Sequence, residues 1–566
     1  MINKPHIYQP YNTTTTQKKY CYKQSDFFSE KTKIVIATNA YAISFYKIEK
    51  TISFVIFILV FILILIKLRF IVIAILFMKT TFPIKLFIIL LVSFALFNCS
   101  KEEIIPTDVE VNNFVWGGMN AYYKWQGEVD DLADTNFSTR EQLNNYLAEF
   151  DTPDVLFDNL LYTSLDDTSW ITDDYTSIED ALNGLKHTTG MKVNGMFAKD
   201  SNDFFLYVYD VVAGSNADIQ EVKRGMIITE VNGIRLTTGN VEGLFNNDTF
   251  SISIADYNEG NPIRDLTDPS FEDLVITLTK QEDFQENPIA IAKVIPTTSY
   301  TVGYLLYNNF TAPFDSDLND VFASFRAANL DHLIVDLRYN GGGCIESANY
   351  LASMITGQFE GEVLSNEIWN DKVMANVITQ NTTNYFTDEI DDGGTGEAIN
   401  SLGLTSVYFI VSDATAGPAE MLINGLKQHL NEVVVIGSQT KGITEVSMTL
   451  YDSDTYTKNG DNFNNSHTWA LQPIVLELQD PSNITHTNGI TVDIELLEDS
   501  GNLGMLGESV TDISLNTIAD PILTSTLEYI ETGAITPYEQ TTPVSTQNLW
   551  NSSSLFLDYN IMYTNL

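Results

Sequence analysis

The chain is poor in cysteine and in basic residues, and each shortage excludes a class of protein. Only 3 cysteines occur among 566 residues, which excludes a disulfide framework like that of small secreted domains. The 30 lysines and arginines face 74 aspartates and glutamates, so the formal net charge is −44. Such an acidic chain repels a phosphate backbone, and nucleic acid is therefore excluded as a partner.

The shortage of acidic residues in the first segment sets that segment apart from the rest. Residues 1–77 hold 10 basic and 3 acidic residues, whereas the remainder holds 20 and 71. Ile52–Ile66 is a long apolar run within this segment. One interpretation is a membrane span. We favour the other, that Met78 is the true first residue, because a signal peptide has no purpose behind an apolar span.

The segment that starts at Met78 has the layout of a secretory signal. Two lysines lie near its start, Phe87–Phe97 is an apolar core, and Cys99 follows at once before a charged stretch. The cysteine at that place resembles the end of a bacterial lipoprotein signal of the Bacteroides type. The resemblance implies that Cys99 is lipidated and anchors the chain to the outer membrane, on its periplasmic or its outer face. A transmembrane anchor is the alternative, which the short core disfavours.

One stretch in the second half of the chain predicts a strand, a sharp turn and a helix. The apolar run Val407–Val411 is short enough for a buried strand. Small and polar residues follow at 412–417, and Pro418 then stands where a helix can begin. Leucines recur every fourth residue from Leu422 to Leu430 and give that helix an apolar stripe. Turns of this kind often carry a nucleophile at the end of a sheet.

The turn and a later loop resemble the two catalytic motifs of the carboxyl-terminal processing peptidases, also called tail-specific proteases. The turn reads TAGPAE over 415–420, where that family has a TASASE-type motif with its nucleophilic serine. The loop reads GSQTKGI over 437–443, where the family has a GExT(F/Y)GK motif with its lysine. The resemblance places Gly417 at the serine and Ile443 at the lysine, so both groups of the Ser/Lys dyad are absent. The next residue is Pro418, which lacks the N–H that usually completes the oxyanion hole.

A dyad displaced by two residues is the alternative. Thr415 and Lys441 are separated by the same number of residues as the two family positions. A shift of two residues moves a side chain by several ångströms, whereas catalysis tolerates a misplacement of about 1 Å. The displaced dyad is therefore the less favoured hypothesis.

A second motif of the same family follows another predicted strand. The residues DLRYNGGG at 336–343 resemble the family's DLRxNxGG motif. Glycine in such a turn lets backbone N–H groups face a substrate carbonyl, so the resemblance implies an oxyanion role for Gly342 and Gly343.

Residues 192–251 resemble a PDZ domain. The run Phe204–Val212 predicts a strand, Gly214 follows in a polar turn, and residues 222–233 resemble the GLKxGDxIxxVNG pattern of that domain. PDZ domains bind a peptide as an added strand, so we expect a C-terminal peptide in a groove beside Phe204–Val212. The alternative is a spacer that has kept the fold and lost the ligand.

The overall pattern predicts a multi-domain α+β protein with an α/β core. From Tyr300 onward strand and helix signals alternate, which favours a parallel or mixed sheet covered by helices. The family resemblance implies a ClpP/crotonase-like peptidase core, a PDZ-like domain and a small N-terminal helical domain. The expected segments are 1–77 as a doubtful extension, 78–98 as the signal, 99–111 as a tether, 112–186 as the helical domain, 187–290 as the PDZ-like domain, 291–532 as the peptidase-like domain and 533–566 as a tail. That tail is polar, lightly charged and uninformative.

Three functions from different classes follow from these patterns. The favoured hypothesis is a pseudopeptidase that binds peptide tails or partner proteins without cleaving them. The alternatives are an active Thr/Lys peptidase that degrades unfolded or tagged proteins, and a structural surface lipoprotein. The expected partners are protein C-terminal tails and the membrane, through the lipid on Cys99. No metal or cofactor is expected.

Overall fold

The computed structural model describes residues 109–258, 261–263, 274–376, 382–391, 396–497, 520–535, 550–552 and 562–564. All of these belong to one compact unit, Ile104–Leu566. The predicted signal, Cys99 and the apolar spans of the first segment lie outside the described residues.

The first part of the described chain consists of short helices and two short strands. Its elements are α1 (Glu110–Tyr122), α2 (Arg140–Leu147), α3 (Pro153–Asn159), β1 (Trp170–Thr172), α4 (Tyr175–Leu182) and β2 (Leu185–Thr188). Thr139 caps α2 by accepting a hydrogen bond from the Gln142 N–H, and Pro153 opens α3. Buried aromatic side chains of this part, such as Phe114 and Phe157, belong to the same hydrophobic cluster as the main sheet described below. These helices therefore share the core of the main domain.

The next part is a largely antiparallel sheet with a hydrophobic cluster of its own. Its elements are β3 (Met191–Phe197), β4 (Phe204–Val211), α5 (Asn216–Ile219), β5 (Ile227–Val231), β6 (Ile234–Arg235), α6 (Val241–Phe245), β7 (Thr249–Asn258), β8 (Asn261–Ile263), β9 (Val275–Thr279) and β10 (Gln281–Gln285). Alternate residues of β4 enter two different clusters, which explains its unbroken apolar sequence. Because β4 pairs with β3 on one side and with β5 on the other, it is an interior strand.

The main domain alternates strands and helices, as predicted. Its elements are β11 (Ile289–Pro296), β12 (Thr301–Tyr307), α7 (Asp315–Ala328), β13 (His332–Asp336), β14 (Gly343–Cys344), α8 (Ile345–Thr356), β15 (Val363–Trp369), α9 (Asp371–Asn376), β16 (Thr383–Tyr385), β17 (Glu389–Ile390), β18 (Glu397–Ala398), β19 (Ser406–Val411), α10 (Pro418–His429), β20 (Glu432–Gly437), β21 (Glu445–Ser447), β22 (Leu450–Tyr451), β23 (Ala470–Gln472), β24 (Ile474–Gln479) and β25 (Ile494–Glu495).

The main sheet has the strand order β11-β12-β13-β19-β20-β25. β11 is antiparallel to β12, and the other neighbours are all parallel. The expected mixed sheet with covering helices is therefore confirmed. Since β12, β13, β19 and β20 run in the same direction, the loops that follow them emerge at one edge of the sheet, where open α/β sheets place their sites.

A second sheet contains a strand from the C-terminal part of the chain. The last described elements are α11 (Pro521–Thr532), β26 (Trp550–Asn551) and β27 (Met562–Tyr563). β27 lies in the middle of the order β14-β27-β21-β24-β15-β16, and β26 extends the sheet of β3. The tail 533–566, whose sequence is uninformative, thus contributes two short strands. Strands of two residues give no periodicity that a sequence pattern could reveal.

Candidate functional site

The sharp turn between β19 and α10 is the centre of the candidate site. Gly417 is the N-cap of α10 with φ +59° and ψ −116°, and Pro418 is the first helical residue. Few side chains tolerate this backbone conformation, which is typical of strained strand-to-helix turns that expose a nucleophile. The Ala416 N–H donates to the Asn340 carbonyl at 3.0 Å, so this turn meets the glycine-rich turn after β13. The two motifs converge as the topology requires.

Thr415 points its hydroxyl away from solvent. The residue is fully buried. Its Oγ1 donates to the Leu337 carbonyl at 2.8 Å and accepts from the Ser412 N–H at 2.9 Å. Through these two hydrogen bonds, the Thr415 hydroxyl holds the turn against the end of β13.

Lys441 reaches the same turn through its backbone. Its N–H donates to the Thr415 carbonyl at 3.0 Å. Burial lowers the pKa of the Lys441 amine from its ordinary value, while the charges of Asp413 and Glu420 act in the opposite direction. The structure thus brings Thr415 and Lys441 into one neighbourhood, with the threonine hydroxyl bonded elsewhere.

Glu420 clamps the loop that carries Ile443 onto the start of α10. Its Oε2 accepts from the N–H groups of Gly417 at 3.0 Å and Ile443 at 2.9 Å. Its Oε1 accepts from the Gly442 N–H at 2.7 Å and from the Thr440 hydroxyl. Burial raises the pKa of the Glu420 carboxyl, and these four donors oppose that rise.

A small cleft of about 20 Å³, partly open to solvent and with room for about one water molecule, lies over this arrangement. Both family positions, Gly417 and Ile443, line the cleft. Much of its wall is apolar, with Met421, Leu478 and Met562. The two residues that the family resemblance aligns with the serine and the lysine therefore border one space, and neither glycine nor isoleucine carries a hydroxyl or an amine.

A histidine and an aspartate form a polar edge of the same cleft. His486 Nε2 lies 3.0 Å from Asp480 Oδ2, and both residues line the cleft. A histidine–carboxylate pair can accept a proton from a hydroxyl. No sequence motif identifies this pair, because neither residue lies in a recognised pattern.

The glycine-rich turn is shaped by a close approach to Phe310. Gly343 has φ +120°, and a Cβ there would lie 2.2 Å from the Phe310 carbonyl oxygen. The Gly342 N–H faces the Asn340 side chain, with 3.3 Å to its Oδ1. Close packing therefore explains the glycine at position 343. The Gly342 N–H forms a hydrogen bond within its own turn. Cys344 follows, and burial raises the pKa of its thiol well above the ordinary value.

Comparison with known proteins identifies the two parts of the main domain. Residues 301–496 match the model described as "Peptidase family S41", and residues 110–170 match the "Peptidase S41 N-terminal domain". The chain belongs to peptidase family S41. No curated protein sequence matches it.

A solved structure shares the fold of this chain. A Bacteroides fragilis protein assigned to the S41 proteases is 20% identical, with a TM-score of 0.55, and the match covers 74% of this chain and 97% of that one. A photosystem II D1 C-terminal processing protease is 15% identical, with a TM-score of 0.41, and the match covers 72% of this chain and 98% of that one. At 20% identity, the similarity to the Bacteroides fragilis structure shows a shared fold and nothing more. The similarity to the processing protease, with a TM-score of 0.41, supports no conclusion.

A buried ion cluster holds the glycine-rich turn of this S41 chain. Arg338 is 2% exposed, and its Nη2 lies 2.7 Å from Asp336 Oδ2 while its Nη1 lies 2.8 Å from Asp520 Oδ2. The Tyr304 hydroxyl donates to Asp336 at 2.9 Å. Burial acts to raise the pKa of Asp520, but the charges of Arg338 and Arg224, together with hydrogen bonds from Leu523 and Arg338, outweigh it and the net pKa is lowered. Asp520 was missed because it lies far along the chain, and its only local signal is a cap before Pro521.

The peptide groove expected beside Phe204–Val212 has to be corrected. β4 is paired along both edges, so no further strand can add to it. Gly214 lies in an exposed turn, with φ +76° and open space around its Cα. The edge that receives another strand is that of β3, where Trp550 and Asn551 pair with Gly195 and Asn194.

Among the described residues, none of the helices is long and apolar enough to cross a membrane. In the same residues, no group of three or more histidine, cysteine, aspartate or glutamate side chains is arranged to hold a metal ion.

Proposed function

We propose that this S41 chain binds extended polypeptide segments and does not cleave them. The observation that carries the proposal is the cleft in which Gly417 and Ile443 face one space without a hydroxyl or an amine. A Ser/Lys dyad needs both groups within hydrogen-bond reach of each other. The family fold is retained around a site that lacks its two reactive side chains.

The oxyanion side of the site supports the same proposal. In the family arrangement one N–H comes from the residue after the nucleophile, which is Pro418 here, and proline has no N–H. Removing one oxyanion donor lowers kcat in a comparable hydrolase by about 100- to 1,000-fold. Loss of the nucleophile or the base alone lowers kcat by about a million-fold, and these losses do not add.

The proposed peptide binding depends on strands at the edges of sheets. An extended peptide gains main-chain hydrogen bonds by adding to an open strand, and its side chains enter pockets on alternate sides. The sheet of β3 resembles a PDZ domain in sequence, and α6 flanks it. The expected ligand is a protein C-terminal tail, which the spacer alternative would not bind.

A covalent probe and a binding titration test the two halves separately. The full chain is incubated with a fluorophosphonate probe, with an active serine hydrolase as the positive control, and no labelling is expected. Labelled C-terminal peptides are then titrated against the full chain, and saturable binding of a subset is expected. Labelling overturns the catalytic half, and an absence of saturable binding across the library leaves only the structural lipoprotein.

The second candidate is an active peptidase with a displaced Thr415/Lys441 dyad. The lowered pKa of Lys441 favours it, since a catalytic lysine must be neutral. The buried Thr415 hydroxyl, which donates to Leu337, opposes it. Labelling that disappears in a Thr415→Ala variant would support this candidate.

We also propose that the chain is anchored through a lipid on Cys99. The support is the signal-like segment from Met78, which ends at that cysteine. A single acyl chain binds a membrane only marginally, whereas several hold firmly. Mass spectrometry of the membrane-extracted protein should find an acylated N-terminal Cys99, and an unmodified peptide spanning Cys99 would contradict the anchor.

A further inference from the structure

The C-terminal segment of the chain is built into two sheets at two separated places. Trp550 and Asn551 pair antiparallel with β3. Met562 and Tyr563 pair parallel with β14. Each pairing is only two residues long, and each lies where an extended ligand could add to an S41 chain of this kind.

The first contact joins the C-terminal segment to both β3 and α6. The Trp550 ring lies 5.5 Å from the Phe245 ring on α6, measured between centroids. The Val193 N–H of β3 donates to the Ser552 hydroxyl at 2.9 Å. An aromatic anchor beside a strand pairing is a common form of peptide recognition by strand addition.

The second contact lies in the candidate cleft. β27 stands between β14, which follows the glycine-rich turn, and β21, which follows the Ile443 loop. Met562 is 2% exposed, and a Cβ built on Gly417 would lie 3.1 Å from the Met562 Cβ. The Thr564 N–H donates to the Ser447 carbonyl at 3.2 Å, and its hydroxyl donates to Glu346 at 2.9 Å.

We propose that the two C-terminal strands, Trp550–Asn551 and Met562–Tyr563, are an exchangeable intramolecular ligand of this S41 chain, and that they occupy the two strand edges that take an external peptide tail. This inference rests on the proposed peptide binding and goes further by naming the ligand chemistry. The preferred external ligand has an aromatic residue at the β3 edge and a Met–Tyr pair about ten residues later.

Charge favours a ligand of that composition. Residues 536–566 contain two acidic residues, Glu539 and Asp558, and no lysine or arginine. The cleft presents the carboxylates of Glu420 and Asp480, and Glu346 lies beside β27. An acidic peptide is repelled there, whereas an uncharged segment rich in hydroxyl and amide groups is accepted.

The short pairings explain why the tail can leave. A two-residue strand forms few main-chain hydrogen bonds, and each contributes only about 1 kcal/mol net. The covalent link keeps the segment bound despite these weak pairings, because a tethered ligand has an effective concentration of about 1 mM or more for a short linker. A free peptide with the same side chains competes at high concentration.

The test cuts the link in the otherwise complete chain. A recognition sequence for a specific protease is inserted between Gln540 and Thr541, the folded protein is cut, and the tail is followed by gel filtration. The cut tail should co-elute with the body, and a labelled synthetic peptide of residues 548–566 should replace it in a saturable way. A peptide of the same composition in scrambled order is the matched control and should not replace it.

A side-chain variant checks that the cleft contact matters. Met562→Asp places a charge where a buried apolar side chain packs against Gly417, so the peptide carrying it should compete at least about tenfold less well. Loss of the cut tail on the column together with no binding of the labelled peptide would overturn the inference. A cut tail that stays and never exchanges would also overturn it, since the tail would then be a permanent strand.

These outcomes are separate from those of the proposed function. If the tail does not exchange but unrelated C-terminal peptides bind the uncut chain, the peptide-binding role stands and this inference fails. If the cut body binds the tail peptide and hydrolyses it, the inference stands and catalytic silence fails.

Discussion

The side chain of Met562 packs against the α-carbon of Gly417. A Cβ built on Gly417 would lie 3.1 Å from the Met562 Cβ and 3.6 Å from its Sδ. Gly417, the residue that the sequence resemblance aligns with the nucleophile, is therefore covered by Met562 from the C-terminal part of the chain. An added side chain at Gly417 must displace this contact as well as adopt a positive φ.

The first prediction concerns Gly417→Ala. Strain at φ +59° and ψ −116° should lower the free energy of unfolding by about 1–3 kcal/mol. The added methyl group also presses on Met562. Urea unfolding monitored by circular dichroism measures the loss.

Gly214→Ala is the matched control. Gly214 also has a positive φ, +76°, but a Cβ there meets no atom within 4 Å. The Gly214→Ala variant should lose about 1–2 kcal/mol of unfolding free energy, the cost of a left-handed backbone conformation alone. Equal losses at the two glycines would contradict the contact with Met562.

The sequence was sufficient for the parts of the site that depend on local pattern. The strand, the turn and Pro418 as the first helical residue were all predicted, because a run of apolar residues, a polar turn and a proline act through neighbours in the chain. The meeting of Gly417 and Ile443 at one cleft followed from family spacing. These features need no knowledge of distant contacts.

The remaining features depend on contacts across long sequence separations. Asp520 reaches Arg338 from 182 residues away, and no periodic pattern links them. Met562 enters the cleft as part of a two-residue strand, which is too short to predict. The expected groove beside β4 failed because strand order, which decides the open edge, is a property of the folded sheet.

The second prediction concerns the Glu420 clamp. Glu420→Gln replaces one carboxylate oxygen with an amide NH₂, so donors among Gly417, Gly442 and Ile443 lose their acceptor. Unfolding free energy should fall by at least about 2 kcal/mol, since each buried donor left unpaired is worth about 1–3 kcal/mol. Thermal and urea unfolding measure the change.

An exposed glutamate gives the control for this variant. Glu282→Gln, on β10 and in contact with solvent, should change stability by no more than about 0.5 kcal/mol. If both variants behave alike, Glu420 does not hold the Ile443 loop.

The third prediction concerns the buried arginine. Arg338→Met leaves Asp336 and Asp520 as buried carboxylates without their main partner, and should lower unfolding free energy by about 3–5 kcal/mol. Arg326→Met, at an exposed position of α7, should change it by about 0.5 kcal/mol or less. Chemical unfolding of both variants measures these changes. Comparable stabilities would show that the ion cluster does not support the glycine-rich turn.

The fourth prediction is a pH dependence that Asp315 produces. Burial raises the pKa of its carboxyl from 3.8 to about 7. Between these values the folded state keeps a proton that the unfolded state has released, so stability falls as pH rises through this window. The slope from this one group is about 1.4 kcal/mol per pH unit.

Asp315→Asn isolates that contribution. The amide oxygen can still accept from the Ser347 hydroxyl, which lies 3.0 Å from Asp315 Oδ2. The variant should become steadily more stable relative to the parent chain from about pH 4 to pH 7, and the difference should stay constant above that range. A difference that does not depend on pH would show that Asp315 titrates normally.

Catalytic silence is the central claim, and hydrolysis of an unfolded protein substrate tests it most directly. The unmodified chain is compared with its Thr415→Ala and Lys441→Ala variants and with buffer alone. With glycine at the nucleophile position and isoleucine at the lysine position, turnover should be reduced by about a million-fold, and none of the three proteins should exceed the background. Cleavage by the unmodified chain that either substitution abolishes would contradict the account.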